Sequence, residues 1–202
     1  MNRIELKNRA KESLKGKYGE AIKLLLITFA ISFATGFVIG FLNLDEDIAE
    51  LISSIVSFAV AGLLGFGTVS FFLKISRNET VTYKELFSKI NMCFSYLAIS
   101  LLVGLFTALW SLLLIIPGII ASISYSQAYY LVLDNPELKP MEAISQSKEM
   151  MNGHKWDFFV LILSFLGWAI LGIFTLGILY LWLVPYMQVT YANFYNSLKE
   201  AK

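Results

Sequence analysis

Four long apolar blocks decide what this chain can become. They cover residues 21–42, 48–73, 94–133 and 158–195, and together they dominate the length. A helix that crosses a bilayer needs about 20 predominantly apolar residues. The first two blocks hold one such helix each, and the last two are each long enough for two. The expected fold is therefore all-α and polytopic, with six transmembrane helices at about 21–42, 48–73, 91–107, 110–133, 158–174 and 178–195. Composition agrees: 57% of the residues are hydrophobic and 15% are charged, against roughly a quarter charged in soluble domains. A single soluble core lacks the polar surface it would need.

The placement of charge orients these spans. Arg3, Lys7, Arg9, Lys11, Lys15 and Lys17 precede the first span, and Lys74, Arg77, Lys84 and Lys89 surround the connection after the second. Lys139, Lys148 and Lys155 lie between spans four and five, and Lys199 and Lys202 follow span six. With six spans all of these fall on one side, while the opposite side carries Asp45, Glu46, Asp47 and Glu50. Basic short loops stay cytoplasmic, which puts both termini inside. Five or seven spans would expose basic clusters outside. The first block is longer than a signal-peptide core and lacks a convincing cleavage pattern, so it is read as a retained helix.

Each pair of spans follows a short polar segment. Pro140 suits a first helical position, Met141, Ile144 and Met151 fall roughly on one face, and Gly153 is placed for a left-handed end. His154, Lys155 and Trp156 then lead into span five. Near the N-terminus, Leu6, Ala10 and Leu14 line one face, and Gly16-Lys17-Tyr18 matches the later glycine, base and aromatic order. Between them, Thr82 with Glu85 fits a capping box, and Tyr83, Leu86, Phe87 and Ile90 make an apolar stripe. The organising expectation is three membrane hairpins, each preceded by a cytoplasmic interfacial helix. Met141, Ile144, Met151, His154, Lys155 and Trp156 form its expected interfacial or partner surface. Aromatic and basic residues there are ordinary membrane anchors, and they favour anionic lipid.

Small residues recur at four-residue spacing, as Ser32, Gly36 and Gly40 in span one and Ser57, Ala61 and Gly65 in span two. Such stripes let helices approach closely. Packing of the two spans on each other is their expected role, with a homodimer contact as the alternative. Residues 43–47 make a short acidic outer turn. Two places can hold the turn between spans three and four, residues 107–111 or Pro117-Gly118. Aligning Pro117 with Pro185 favours the first, with Pro117 as a kink inside span four.

Chemistry is sparse. No ionisable residue lies deep in a block, which argues against ion-coupled transport. Paired carboxylates at mid-span, zinc-protease and nucleophile-elbow motifs and phosphate-binding loops are missing. One cysteine, Cys93, and one histidine, His154, exclude an intrachain disulfide and a zinc site. Asp157 lies one turn from His154, but catalysis would need a positioned nucleophile as well. The expectation is a protein without enzymatic activity, metal or cofactor. The polar residues Ser122, Ser126, Gln127, Gln188 and Asn193, near two prolines, are the candidate ligand-binding cleft between spans four and six. Their structural alternative is to satisfy carbonyls that the prolines free. The basic residues have a topological explanation, so nucleic acid is not an expected partner. Membrane lipids are, together with a membrane-protein partner or a second copy of the chain. A permease or flippase-like transporter of an uncharged or amphipathic solute is the alternative function.

Several runs are distinctive: Ile115-Ile116-Pro117-Gly118-Ile119, Tyr129-Tyr130-Leu131 to Asp134-Asn135-Pro136, Glu142-Ala143-Ile144 with Ser147, and Gly153-His154-Lys155-Trp156. With Ala10-Lys11, Leu14-Lys15-Gly16 and Tyr18, the chain resembles a bacterial integral-membrane family of unknown function, DUF975, over nearly its whole length. The pattern is also similar to YciC-type inner-membrane proteins and to the membrane domain attached to some glycerophosphodiester phosphodiesterases. The resemblance implies a bacterial cytoplasmic-membrane protein connected with lipids, and it transfers no catalytic residue.

Overall fold

The computed structural model describes residues 2–42 and 45–201. Asn43, in the expected outer turn, lies outside the described residues. Secondary structure among the described residues is entirely helical: α1 (Arg3–Leu14), α2 (Tyr18–Phe41), α3 (Glu46–Ser76), two 3-10 turns (Tyr83–Phe87 and Ile90–Met92), α4 (Cys93–Leu113), α5 (Ile115–Tyr125), α6 (Ala128–Asp134), α7 (Pro140–Met150), α8 (Lys155–Phe174) and α9 (Tyr180–Glu200). Five stretches are long and apolar enough to cross a membrane: Tyr18–Phe41, Glu46–Ser76, Tyr83–Leu113, Ile115–Asp134 and Lys155–Phe174. The expected sixth, α9, has comparable length at 21 residues, but Gln188, Thr190, Asn193 and Asn196 make its second half polar.

That polarity follows from where α9 sits. It packs against α1, α2, α3 and α8, and Val189, Ala192, Phe194 and Tyr195 are fully buried. Other helices pack around the second half of α9, and polar groups there find partners. Thr190 Oγ1 donates to the Tyr186 carbonyl at 2.6 Å, and Asn193 Nδ2 donates to the Leu6 carbonyl at 3.4 Å. Against α8 the contacts run in opposed order. Phe158 meets Phe194, Phe165 meets Tyr186, and the Tyr180 hydroxyl donates to the Ala169 carbonyl at 2.7 Å. By contrast, α2 turns Phe29, Phe33, Phe37 and Phe41 outward at 65–77% exposure, as a lipid-facing helix would.

The turn after α4 differs from expectation. Helix α4 runs unbroken through Thr107, Ala108 and Leu109 and ends at Leu113, and the chain reverses at the extended Leu114. A side chain on Gly118 would collide with Ser111, so the glycine lets α5 close tightly on α4. Pro117 stands in the first turn of α5, where its missing N–H costs no helical bond. It makes no kink. The interruption falls later, at Ser126 and Gln127, between α5 and α6.

The short segments also depart from the expected layout. α1 and α7 are helices with the expected glycine ends, Gly16 at φ +75° and Gly153 at φ +81°. Pro140 opens α7, whose Glu142 accepts the Lys139 N–H at 3.4 Å. The middle unit is only 3-10 turns, and Thr82 makes no side-chain cap. Its Glu85 binds Ser70 at 2.9 Å, Lys74 at 2.9 Å and Ser88 at 2.7 Å instead, tying the segment to α3. Nor do the apolar faces of α1 and α7 lie open. Leu6, Ala10 and Leu14 are buried in cores that include α3 and α9, and Ala143, Ile144 and Met150 are buried under the membrane helices.

Candidate functional site

Helices α2 and α3 splay above their contact instead of zipping along the small-residue stripes. Among the described residues a methyl at Gly36 or Gly40 would meet nothing within 4 Å, so these glycines hold none of the described helices close. Gly65 has another use: a side chain there would strike the Tyr96 ring, which wedges in from α4 and lies 5.2 Å from the Phe66 ring. The splay leaves a groove of about 340 Å³. Its walls are Thr28, Ser32 and Thr35 of α2, Ser57, Ala61, Leu64, Gly65 and Thr68 of α3, Tyr96 of α4, and Gln188 of α9.

The groove sets hydroxyls and one amide among apolar side chains, including Val60 and Val69, and carries no charge. Thr28, Thr35 and Thr68 each donate to the carbonyl four residues earlier, at 2.8–3.0 Å, which satisfies hydroxyls placed in an apolar helix. The Gln188 amide differs, since among the described residues no group hydrogen-bonds to it. Its side chain is partly exposed into the groove, one turn after Pro185. The lining holds no carboxylate, imidazole or amine.

The other expected cleft residues lie elsewhere. Ser122 is exposed and donates back to the Ile119 carbonyl at 2.8 Å. Ser126 donates to Ile123 and accepts from Gln127 Nε2 at 2.7 Å, beside the break between α5 and α6. Gln127 is fully buried there, and its Oε1 has no partner among the described residues. Asn193 is held by α1. The five residues therefore do not form one cleft, and only Gln188 enters the groove. Thr28, Ser32 and Thr35, at spacings of four and three, carried a legible signal for the hydroxyl wall. Tyr96, which closes the groove from another helix, carried none.

The expected partner surface divides in the same way. Ile144 and Met151 are buried, while Met141 and Trp156 are exposed at 53% and 70%. His154 lies 3.5 Å from the Asp157 carboxylate, and Trp156 packs on Phe159 with ring centres 5.4 Å apart. A polar cavity of about 880 Å³ opens at the end where α1, α3 and α9 meet, faced by Arg9, Arg77 and Lys199. These cations are matched. Arg9 pairs with Glu5 at 2.6 Å. Arg77 donates to both Asp134 oxygens at 2.9 Å, and Lys199 reaches the same carboxylate at 2.7 Å. With Tyr195 also donating to Asp134, the network clamps the ends of α3, α6 and α9. It is a structural clasp rather than an anion site.

The chain belongs to the family described as protein of unknown function, DUF975, which matches residues 1–124 and 111–202. No curated protein and no solved structure matches it.

Proposed function

We propose that this DUF975 member is a non-enzymatic integral protein of the bacterial cytoplasmic membrane that binds a lipid or similar amphipathic molecule in the Gln188 groove. In this reading the chain crosses six times, as three hairpins with both termini cytoplasmic. The distribution of Lys and Arg supports that sidedness. α9 is the sixth crossing, shielded from lipid by its neighbours, which is why its composition is polar. One observation carries the assignment: an amide without a partner opens into an uncharged groove between helices that are apolar enough to span. The amide carries one acceptor and two donors that the described residues leave available to a ligand's polar end. Against catalysis stands the lining itself, where the three threonine hydroxyls are engaged with backbone carbonyls and no carboxylate, imidazole or amine adjoins the rest to activate a nucleophile.

Native mass spectrometry of the protein released from phosphatidylethanolamine nanodiscs tests this. One retained lipid per chain, lost in Gln188→Leu but kept in Gln127→Leu, is the expected result. Equal retention in wild type and Gln188→Leu would overturn the assignment. Permeation is the second reading, favoured by Pro185, which leaves α9 one hydrogen bond short beside the groove. It predicts solute flux in proteoliposomes that Gln188→Leu abolishes.

A further inference from the structure

Lys7 and Lys11 stand one turn apart on α1, and both reach into the angle between α8 and α9. Lys7 Nζ donates to the Ser164 carbonyl at 3.1 Å and lies 4.0 Å from the centre of the Phe165 ring. Lys11 Nζ lies 5.7 Å from the centre of the Tyr186 ring. Ser164 is the tenth of the twenty residues of α8, so Lys7 meets the middle of a helix able to span a membrane. In the sequence these lysines belong to a polar segment well before the first apolar block. Folding brings Lys7 against the mid-length of that apolar helix, and charged side chains beside such a helix are costly and mark function.

Among the described residues neither ammonium meets a carboxylate. Burial, reinforced by the charges of Arg3 and Lys11, pushes the Lys7 ammonium below the usual lysine range. Each ammonium has three donors, and Lys7 uses one of them on Ser164. The two lysines line a groove of about 270 Å³ with Trp168, Trp182, Leu183 and Tyr186. Trp168 and Trp182 are about half exposed, so the groove is open along its aromatic wall.

We propose that this groove binds an anionic phospholipid, with the phosphate between Lys7 and Lys11 and an acyl chain along Trp168, Trp182 and Leu183. The positive charges select the sign of the headgroup. The indole and leucine walls select a lipid over free phosphate, because a soluble anion gains nothing from apolar surface. Gln188 lies on another face of α9 and lines a different groove, so the site is independent of the one proposed above.

Nanodiscs of phosphatidylcholine with increasing phosphatidylglycerol, read by native mass spectrometry, test the site. One phosphatidylglycerol per chain is retained in preference to phosphatidylcholine, and excess inorganic phosphate leaves it in place. The phosphatidylglycerol fraction needed for half occupancy rises about fivefold for each lysine replaced by Gln, the factor one basic residue carries at an anionic surface. Lys11→Gln keeps the Lys7–Ser164 bond, so it remains informative if the double variant fails to insert. Lys7→Arg/Lys11→Arg and Gln188→Leu retain the lipid. In the Gln188→Leu variant, which disables the other groove, equal retention of the two lipids, displacement by phosphate, or unchanged occupancy on adding Lys11→Gln would overturn the proposal.

Discussion

Ser147 shows how one hydroxyl can hold a membrane fold together. It is fully buried on α7, donates to the Ser124 carbonyl at 2.8 Å and accepts the Gln127 N–H at 3.1 Å. Those are backbone groups that the break between α5 and α6 would otherwise leave unpaired. A buried group stripped of its partner costs about 1–3 kcal/mol. Ser147→Ala is therefore expected to lower stability by roughly 1–3 kcal/mol, measured as thermal unfolding in detergent. Gln127→Leu is expected to cost less, because it gives up the Nε2 bond to Ser126 but also removes a buried Oε1 that has no partner among the described residues. Equal losses in the two variants would contradict this account of the break.

At the scale of elements, helix ends were more legible than helix surroundings. Pro140 and Gly153 bracket α7 because their backbone constraints act locally, whatever lies nearby. The partner of the apolar face was not legible, since Ile144 and Met151 have the same periodicity whether they face lipid or another helix. The structure puts them inside. Ile144→Ala is accordingly expected to cost about 2–5 kcal/mol, while the exposed Met141→Ala stays within about 0.5 kcal/mol. Comparable effects at both positions in the same unfolding assay would return α7 to the membrane surface. The turn at Leu114 escaped detection for a related reason. A proline inside a long apolar block suggests a mid-helix kink, but in the first turn of α5 it is harmless, and Gly118 supplies the closeness. Of the candidate groove, Gln188 and the small residues Ser32, Ser57, Ala61 and Gly65 were visible beforehand. The small residues do not zip α2 to α3, because Tyr96 arrives from a third helix against Gly65.

For the whole molecule, the polar face of α9 and the apolar face of α2 are two halves of one arrangement. α2 leaves its phenylalanine side exposed, as a lipid-facing helix would, whereas α9 packs against α1, α2, α3 and α8. A hub of this kind has no need of an apolar composition, which is why block length read it correctly as a helix while hydropathy leaves its crossing open. Both proposed lipid sites depend on α9 running through the membrane, with its start and end on opposite faces. In a Cys93→Ser background, single cysteines at Leu176, which is 94% exposed in the turn before α9, and at Glu200, in its last turn, can be labelled with a membrane-impermeant maleimide. Leu176→Cys should react in intact cells, and Glu200→Cys only in inverted membrane vesicles. Labelling of both residues from the same face would contradict the six-crossing account.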